Sequence, residues 1–157
     1  MPWTAAVVAA PPPRTVAIGK GGSDGFVATG ADGAVHIVFD GRYRTGPAPE
    51  RLGPEERITD LAPVNGVRLA LDGKNRPHVV FTTGMTARAT RSYYTARVDG
   101  RWLPAEKFAD AADFPERPRA YVADVAVDGA GHALVSFWVG RPTEKRGELD
   151  NPSFYYR

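Results

Sequence analysis

Cysteine is absent from this 157-residue chain. That single absence excludes disulfides, thiolate metal centres and thiol nucleophiles, and it leaves the compartment open. Net charge is nearly absent too. The 20 basic and 18 acidic side chains leave a formal +2 at pH 7, too weak a field to argue for nucleic acid or an anionic membrane surface as partner. No apolar run approaches the roughly 18 residues of a spanning helix, so no membrane span is expected. The stretch Met1–Ala10 has no basic leader and runs into Pro11–Pro13, a poor match to a secretory signal.

Glycine and proline, by contrast, are abundant, at 17 and 14 residues. They fall between short apolar runs, where they punctuate strands. With 43% hydrophobic and 24% charged residues, the composition is that of an ordinary globular, all-β domain. The dominant feature is a repeat. Val67-Arg68-Leu69-Ala70-Leu71-Asp72-Gly73 returns as Ala123-Asp124-Val125-Ala126-Val127-Asp128-Gly129, 56 residues later, and the register holds at Phe81/Phe137 and Gly84/Gly140. A unit that cannot bury its own apolar face stacks on its copies.

Alternation of Val67, Leu69 and Leu71 against Arg68, Ala70 and Asp72 predicts a half-buried strand. Asp72-Gly73-Lys74-Asn75 supplies turn residues, and Pro77–Thr82 returns as the partner strand. Ser92–Val98 predicts a third strand, and Asp99-Gly100 turns it into a fourth, Arg101–Leu103, which Pro104 ends. A third unit repeats this order over Tyr121–Asp128, His132–Val139 and Ser153–Tyr156 without its last strand. An earlier unit matches at a spacing of 42 through Ala28/Ala70, His36/His78 and Phe39/Phe81, yet Asp40-Gly41-Arg42-Tyr43 matches Asp99-Gly100-Arg101-Trp102 at 59. Both spacings hold if a hairpin is missing, so fewer than four strands are expected there. The predicted organisation is an extended or disordered lead over 1–14 and repeat units over about 15–60, 61–109 and 110–157.

A strand ending in A-[LV]-D-G, a return strand reading H-V-V-F, an aromatic Y-Y-x-A-R strand and then D-G-x-W resembles bacterial sialidase-like β-propellers of the BNR type. The resemblance implies an incomplete β-propeller of about two and a half to three antiparallel up-and-down blades, the first strand of each innermost. A ring usually needs four to eight blades, which implies further blades from a longer polypeptide or from self-association. A sialidase would also bring an arginine cluster, a tyrosine nucleophile with its glutamate, an aspartate acid/base and S-x-D-x-G-x-x-W boxes. None of these is legible, and no catalytic residue is assigned.

Tyr93, Tyr94, Tyr155 and Tyr156 recur at repeated strand positions, which argues for packing. Tyr43 and Trp102 read as packing residues at sheet edges. His36 and His78 recur as well, with Leu134 replacing the third, so a structural role is expected and no metal or other cofactor. Gly19–Gly25 lacks both the spacing of a phosphate loop and a helix to follow it. Asp110, Asp113, Glu148 and Asp150 read as solvated loop charge, because they lack the alternating oxygen ligands of a calcium loop. The loops joining second to third strands would share one face with the connections between units. There they would gather Arg88, Arg91, Arg117, Arg119, Arg141, Lys145 and Arg146, whose guanidinium forks suit carboxylates and sulfates.

The expectation is therefore a non-catalytic binding or scaffold module for an acidic glycan or protein ligand, at the cell surface or outside the cell. Two alternatives stand beside it. One is a fragment of a sialidase-like glycoside hydrolase, and the other is a self-assembling structural repeat.

Overall fold

The structure, a computed structural model, describes residues 24–84, 89–115, 119–142 and 149–156. The predicted lead over 1–14 and the apolar run Thr15–Ile18 lie outside these residues. Within them the chain is all-β, with two single-turn 3-10 segments at Pro49–Arg51 and Ala111–Asp113. None of the described helical segments is long and apolar enough to cross a membrane.

Three antiparallel sheets follow one another along the chain, none of them closed. The first contains β1 (Gly25–Thr29), β2 (Val35–Phe39), β3 (Arg42–Gly46) and β4 (Glu56–Arg57), in that order. The second contains β5 (Val64–Leu71), β6 (Pro77–Thr83), β7 (Arg91–Val98) and, both along the outer edge of β7, β8 (Arg101–Trp102) and β9 (Glu106–Asp110). The third contains β10 (Arg119–Val127), β11 (Ala133–Pro142) and β12 (Leu149–Tyr156).

The sequence repeat is a repeat of strand pairing. Leu69 stands opposite Val79 and Ala70 opposite His78 in the second sheet; Val125 opposite Val135 and Ala126 opposite Leu134 in the third; Val27 opposite Ile37 and Ala28 opposite His36 in the first. The first strands of the second and third sheets, β5 and β10, carry their irregularity at matching places, between Asn65 and Arg68 and between Val122 and Asp124.

The three hairpin turns share one backbone pattern. Gly30, Asp72 and Asp128 each donate an N–H to the carbonyl four residues on and accept one from the residue three on. The turn residue that donates this second bond needs positive φ, supplied by Gly33 (80°), Asn75 (57°) and Gly131 (96°). In two of the turns the first residue is an aspartate whose side chain adds two further bonds. Asp72 Oδ1 accepts from Lys74 N and Arg76 N, and Asp128 Oδ1 from Ala130 N and His132 N, each at 2.9 Å.

Two expectations need correction. The first sheet has four strands, not fewer. Asp40-Gly41, with φ of 46° and 74°, joins second strand to third, whereas Asp99-Gly100, at 50° and 78°, joins third to fourth. The spacing of 59 therefore matched turn chemistry at two different connections. The outer edge of the second sheet also does not end at Pro104. Leu103 N donates to Ala96 O, and after the prolyl break β9 resumes pairing with β7 at Tyr94 and runs to Arg91.

The sheets stack through alternate faces of their strands. From the second sheet, Val67, Leu69, Val79 and Phe81 meet Val38, Tyr43 and Ile58 of the first and its connection. Val80, with Ala70 and Tyr94, meets Val122, Val125 and Val135 of the third. Strand β6 is buried at every position, since it has neighbours on both faces and both edges. Hydroxyls seal the second joint. Thr90 Oγ1 accepts Ala120 N at 2.9 Å and Thr82 Oγ1 accepts Val122 N at 3.1 Å, so the free edge of β10 is satisfied where water is excluded.

Candidate functional site

Each sheet has a turn end, carrying the hairpins at 30–33, 72–75 and 128–131, and an opposite loop end. Strand pairing gathers three of the expected basic positions at the loop end. Arg91 opens β7 and Arg119 opens β10, while Gly140, the pairing partner of Arg119, precedes Arg141. The bond from Ala120 N to Thr90 Oγ1 places the starts of β7 and β10 side by side. Arg141 stands opposite Asp150 on β12. Arg88, Arg117, Lys145 and Arg146 lie outside the described residues.

The described guanidiniums differ in what they meet. Arg91 Nε donates to Asp110 Oδ2 at 3.1 Å, and Lys107 Nζ donates to the same oxygen at 2.8 Å. Asp110 also accepts Ala112 N at 3.0 Å, which starts the 3-10 turn leading into the third sheet. Burial pushes the Asp110 carboxyl up, but the bonds from Lys107, Ala112 and Arg91 outweigh it and hold the group at about 2. Asp110 is thus a buried structural anion, not the solvated loop charge that its sequence context suggests. Arg119 contrasts with Arg91: its Nε is buried and has no hydrogen-bond partner among the described residues.

A cleft of about 650 Å³ opens at the same end, where the first sheet leads into the second. Asp40, Arg42, Glu55, Arg57 and Thr59 are among its lining residues. Arg42 is paired with Glu55, and Arg57 lies 3.3 Å from Asp60. Sequence reasoning missed this cleft, because the Asp40-Gly41 turn was aligned with the wrong connection.

The histidines are scaffold. His36 Nδ1 lies 2.7 Å from Tyr43 Oη and His78 Nδ1 2.6 Å from Tyr94 Oη, the same diagonal pair in two successive sheets. Tyr43 is not an edge residue. It is 1% exposed, stands edge-on to Trp102 with ring centroids 5.2 Å apart, and lies under the Arg97 guanidinium. Arg97 then forks onto Glu56 with two bonds of 2.9 Å, tying β7 to β4. Tyr93 stacks on Phe81 at 5.5 Å.

Burial lowers the pKa of both histidines, against the attraction of Asp32 on His36 and of Asp72 on His78; Arg97 and Arg76 add to the lowering. An unfolded histidine therefore takes up a proton before the folded one does. Stability contributed by the neutral imidazoles is complete above about 6.5 and is lost as pH falls from there toward the folded values. The third sheet has Leu134 at this position, so His36→Leu with His78→Leu should flatten that loss. Urea denaturation at about pH 7.5 and pH 5 would read it, and an unchanged pH dependence would refute the assignment.

Among the described residues no group of three histidine or carboxylate side chains is placed to hold a metal ion. No protein-family model matches the chain, and no curated protein matches its sequence.

Proposed function

We propose that the chain is a non-catalytic binding module made of consecutive blades of an incomplete, sialidase-like β-propeller, and that its loop end takes an acidic glycan. The observation that carries this reading is Arg119, whose Nε is buried without an acceptor beside the Arg91 end of β7. A buried, unpartnered guanidinium donor costs free energy, which a sulfate or carboxylate oxygen would recover. Two further features favour binding over catalysis. The strongly shifted carboxylates Asp72, Asp110 and Asp128 are all committed to holding turns and connections, and both buried histidines are bonded to tyrosines in the sheet joints. A cleft at the same end, between the first and second sheets, falls in the size range of small-ligand sites.

A sulfated polysaccharide such as heparin is expected to bind, and more weakly as salt rises. Each charge-assisted hydrogen bond is worth about 1.5–3 kcal/mol, so Arg91→Ala with Arg119→Ala should weaken binding by roughly tenfold or more. Calorimetric titration at two salt concentrations tests this. Equal affinity of wild type and double variant would remove the proposal.

A further inference from the structure

The repeat assigns a role to every face of every sheet, and it leaves one apolar face unmatched. In the first sheet Ala28, His36 and Val38 look toward the second; in the second, their equivalents Ala70, His78 and Val80 look toward the third. This front face is always covered by the next sheet. In the third sheet the equivalents are Ala126, Leu134 and Ser136, and no described sheet lies over them. Leu134 is 55% exposed and Ala126 is exposed as well. On the same face Tyr121 and Trp138 stack with ring centroids 4.9 Å apart, while the Ser136 hydroxyl is directed at Asp124 O. The face is apolar, aromatic and built in continuity with two formed interfaces.

Its occupant follows from what the chain can offer. Extending the stack head to tail would need the rear face of the first sheet, the counterpart of Leu69, Val79 and Phe81. There Ile37 and Phe39 are already 5% exposed, and only Val27, at 61%, stands open. Among the described residues, a second copy therefore has one large apolar sheet face to present, the front of its own third sheet. Continuity favours this pairing, since the same positions of the first two sheets are each covered by a stacked sheet.

We infer that the protein forms a closed, two-fold dimer by packing the front face of its third sheet on the same face of a second copy. A self-complementary patch of this kind closes on itself and does not propagate, with the two sheets about 10 Å apart.

The test is the mass of the full chain in solution, measured by light scattering and by sedimentation over a wide concentration range. Twice the chain mass is expected, falling toward the single mass on dilution. Leu134→Glu, and independently Ala126→Glu, should give the single mass at all concentrations with an unchanged far-ultraviolet spectrum. Val27→Glu, on the rear face of the first sheet, should leave the dimer intact. These variants keep Arg119 in place, so glycan binding should survive in them, and failure here is separable from failure of the ligand proposal. A wild type that is monomeric throughout, or a Leu134→Glu protein that stays dimeric, overturns the inference. Loss of the dimer in Val27→Glu overturns it in favour of head-to-tail contact.

Discussion

Asp72→Ala is expected to destabilise the fold by about 2–4 kcal/mol, the loss that follows when a buried carboxylate is removed from the donors around it. The Asp72 side chain is 1% exposed. It accepts Lys74 N and Arg76 N at 2.9 Å on one oxygen and Arg76 Nε at 2.6 Å on the other, which also lies 3.5 Å from His78 Nε2. Arg76 is about a third exposed and can turn part of its charge to water, which keeps the loss below that of a fully buried pair. Burial pushes the Asp72 carboxyl up, and the bonds from Arg76 and Lys74 carry it down past its ordinary 3.8 to about 2. The folded value is depressed, so the stabilisation is complete above 3.8 and is lost as pH falls through about 2. Its size is about 2 kcal/mol, and the alanine variant should lack this acid-dependent part. The repeat supplies the control. Asp128 makes the same turn, but its side chain is 55% exposed, so Asp128→Ala should be much milder. Comparable losses in urea denaturation of the two variants would show that the turn, and not burial, sets the effect.

This pair of aspartates also marks how far the sequence could be read. Recurrence of Asp-Gly after an alternating run located both hairpins, and the spacing of 56 reproduced the strand register residue for residue. Sequence could not separate the buried aspartate from the exposed one, because that difference arises from the stacking of neighbouring sheets. The same gap explains the error at the first sheet. Two successive residues with positive φ call for Asp-Gly wherever a two-residue hairpin is needed, so the dipeptide at 40–41 and at 99–100 identified a turn type without identifying which strands it joins. Proline at 104 likewise announced a break in pairing but not its resumption at Glu106.

The His–Tyr pairs were hidden for a different reason. Their partners sit on adjacent strands, seven residues apart in one sheet and 16 in the next, because the second-to-third connection shrinks to Asp40-Gly41 in the first sheet. No fixed spacing records such a contact. At the loop end, the sequence places Arg91 on a second-to-third strand loop and Arg119 on the connection between units, two segments that the pattern of strands sets at one end. The neutralising Asp110 was not, since it reaches Arg91 across a strand pair 19 residues away in sequence.

Phe81→Ala carries the largest expected effect, about 3–5 kcal/mol for a fully buried phenylalanine, and its consequence should be uneven along the chain. Phe81 is 0% exposed and packs with Val38 and Tyr43 of the first sheet while stacking on Tyr93 of its own. Its loss opens a cavity in the joint between the first two sheets and leaves the joint between the second and third, centred on Val80, Val122 and Val135, untouched. When stability is a sum of repeats and nearest-neighbour interfaces, weakening one interface uncouples the units on either side of it. The first sheet should then release before the other two. Trp102 reports on that joint through its contact with Tyr43, and Trp138 reports on the third sheet through Tyr121. In the wild type their fluorescence transitions in urea should coincide. In Phe81→Ala the Trp102 transition should move to lower urea ahead of that of Trp138, each read in a protein whose other tryptophans are phenylalanine. Phe137→Ala, the equivalent change beside Phe108 and Phe114, should reverse the order, because it damages the second joint and spares the first. Coincident transitions in both variants would mean that the three sheets share one indivisible core, and the nearest-neighbour account of their stacking would fail.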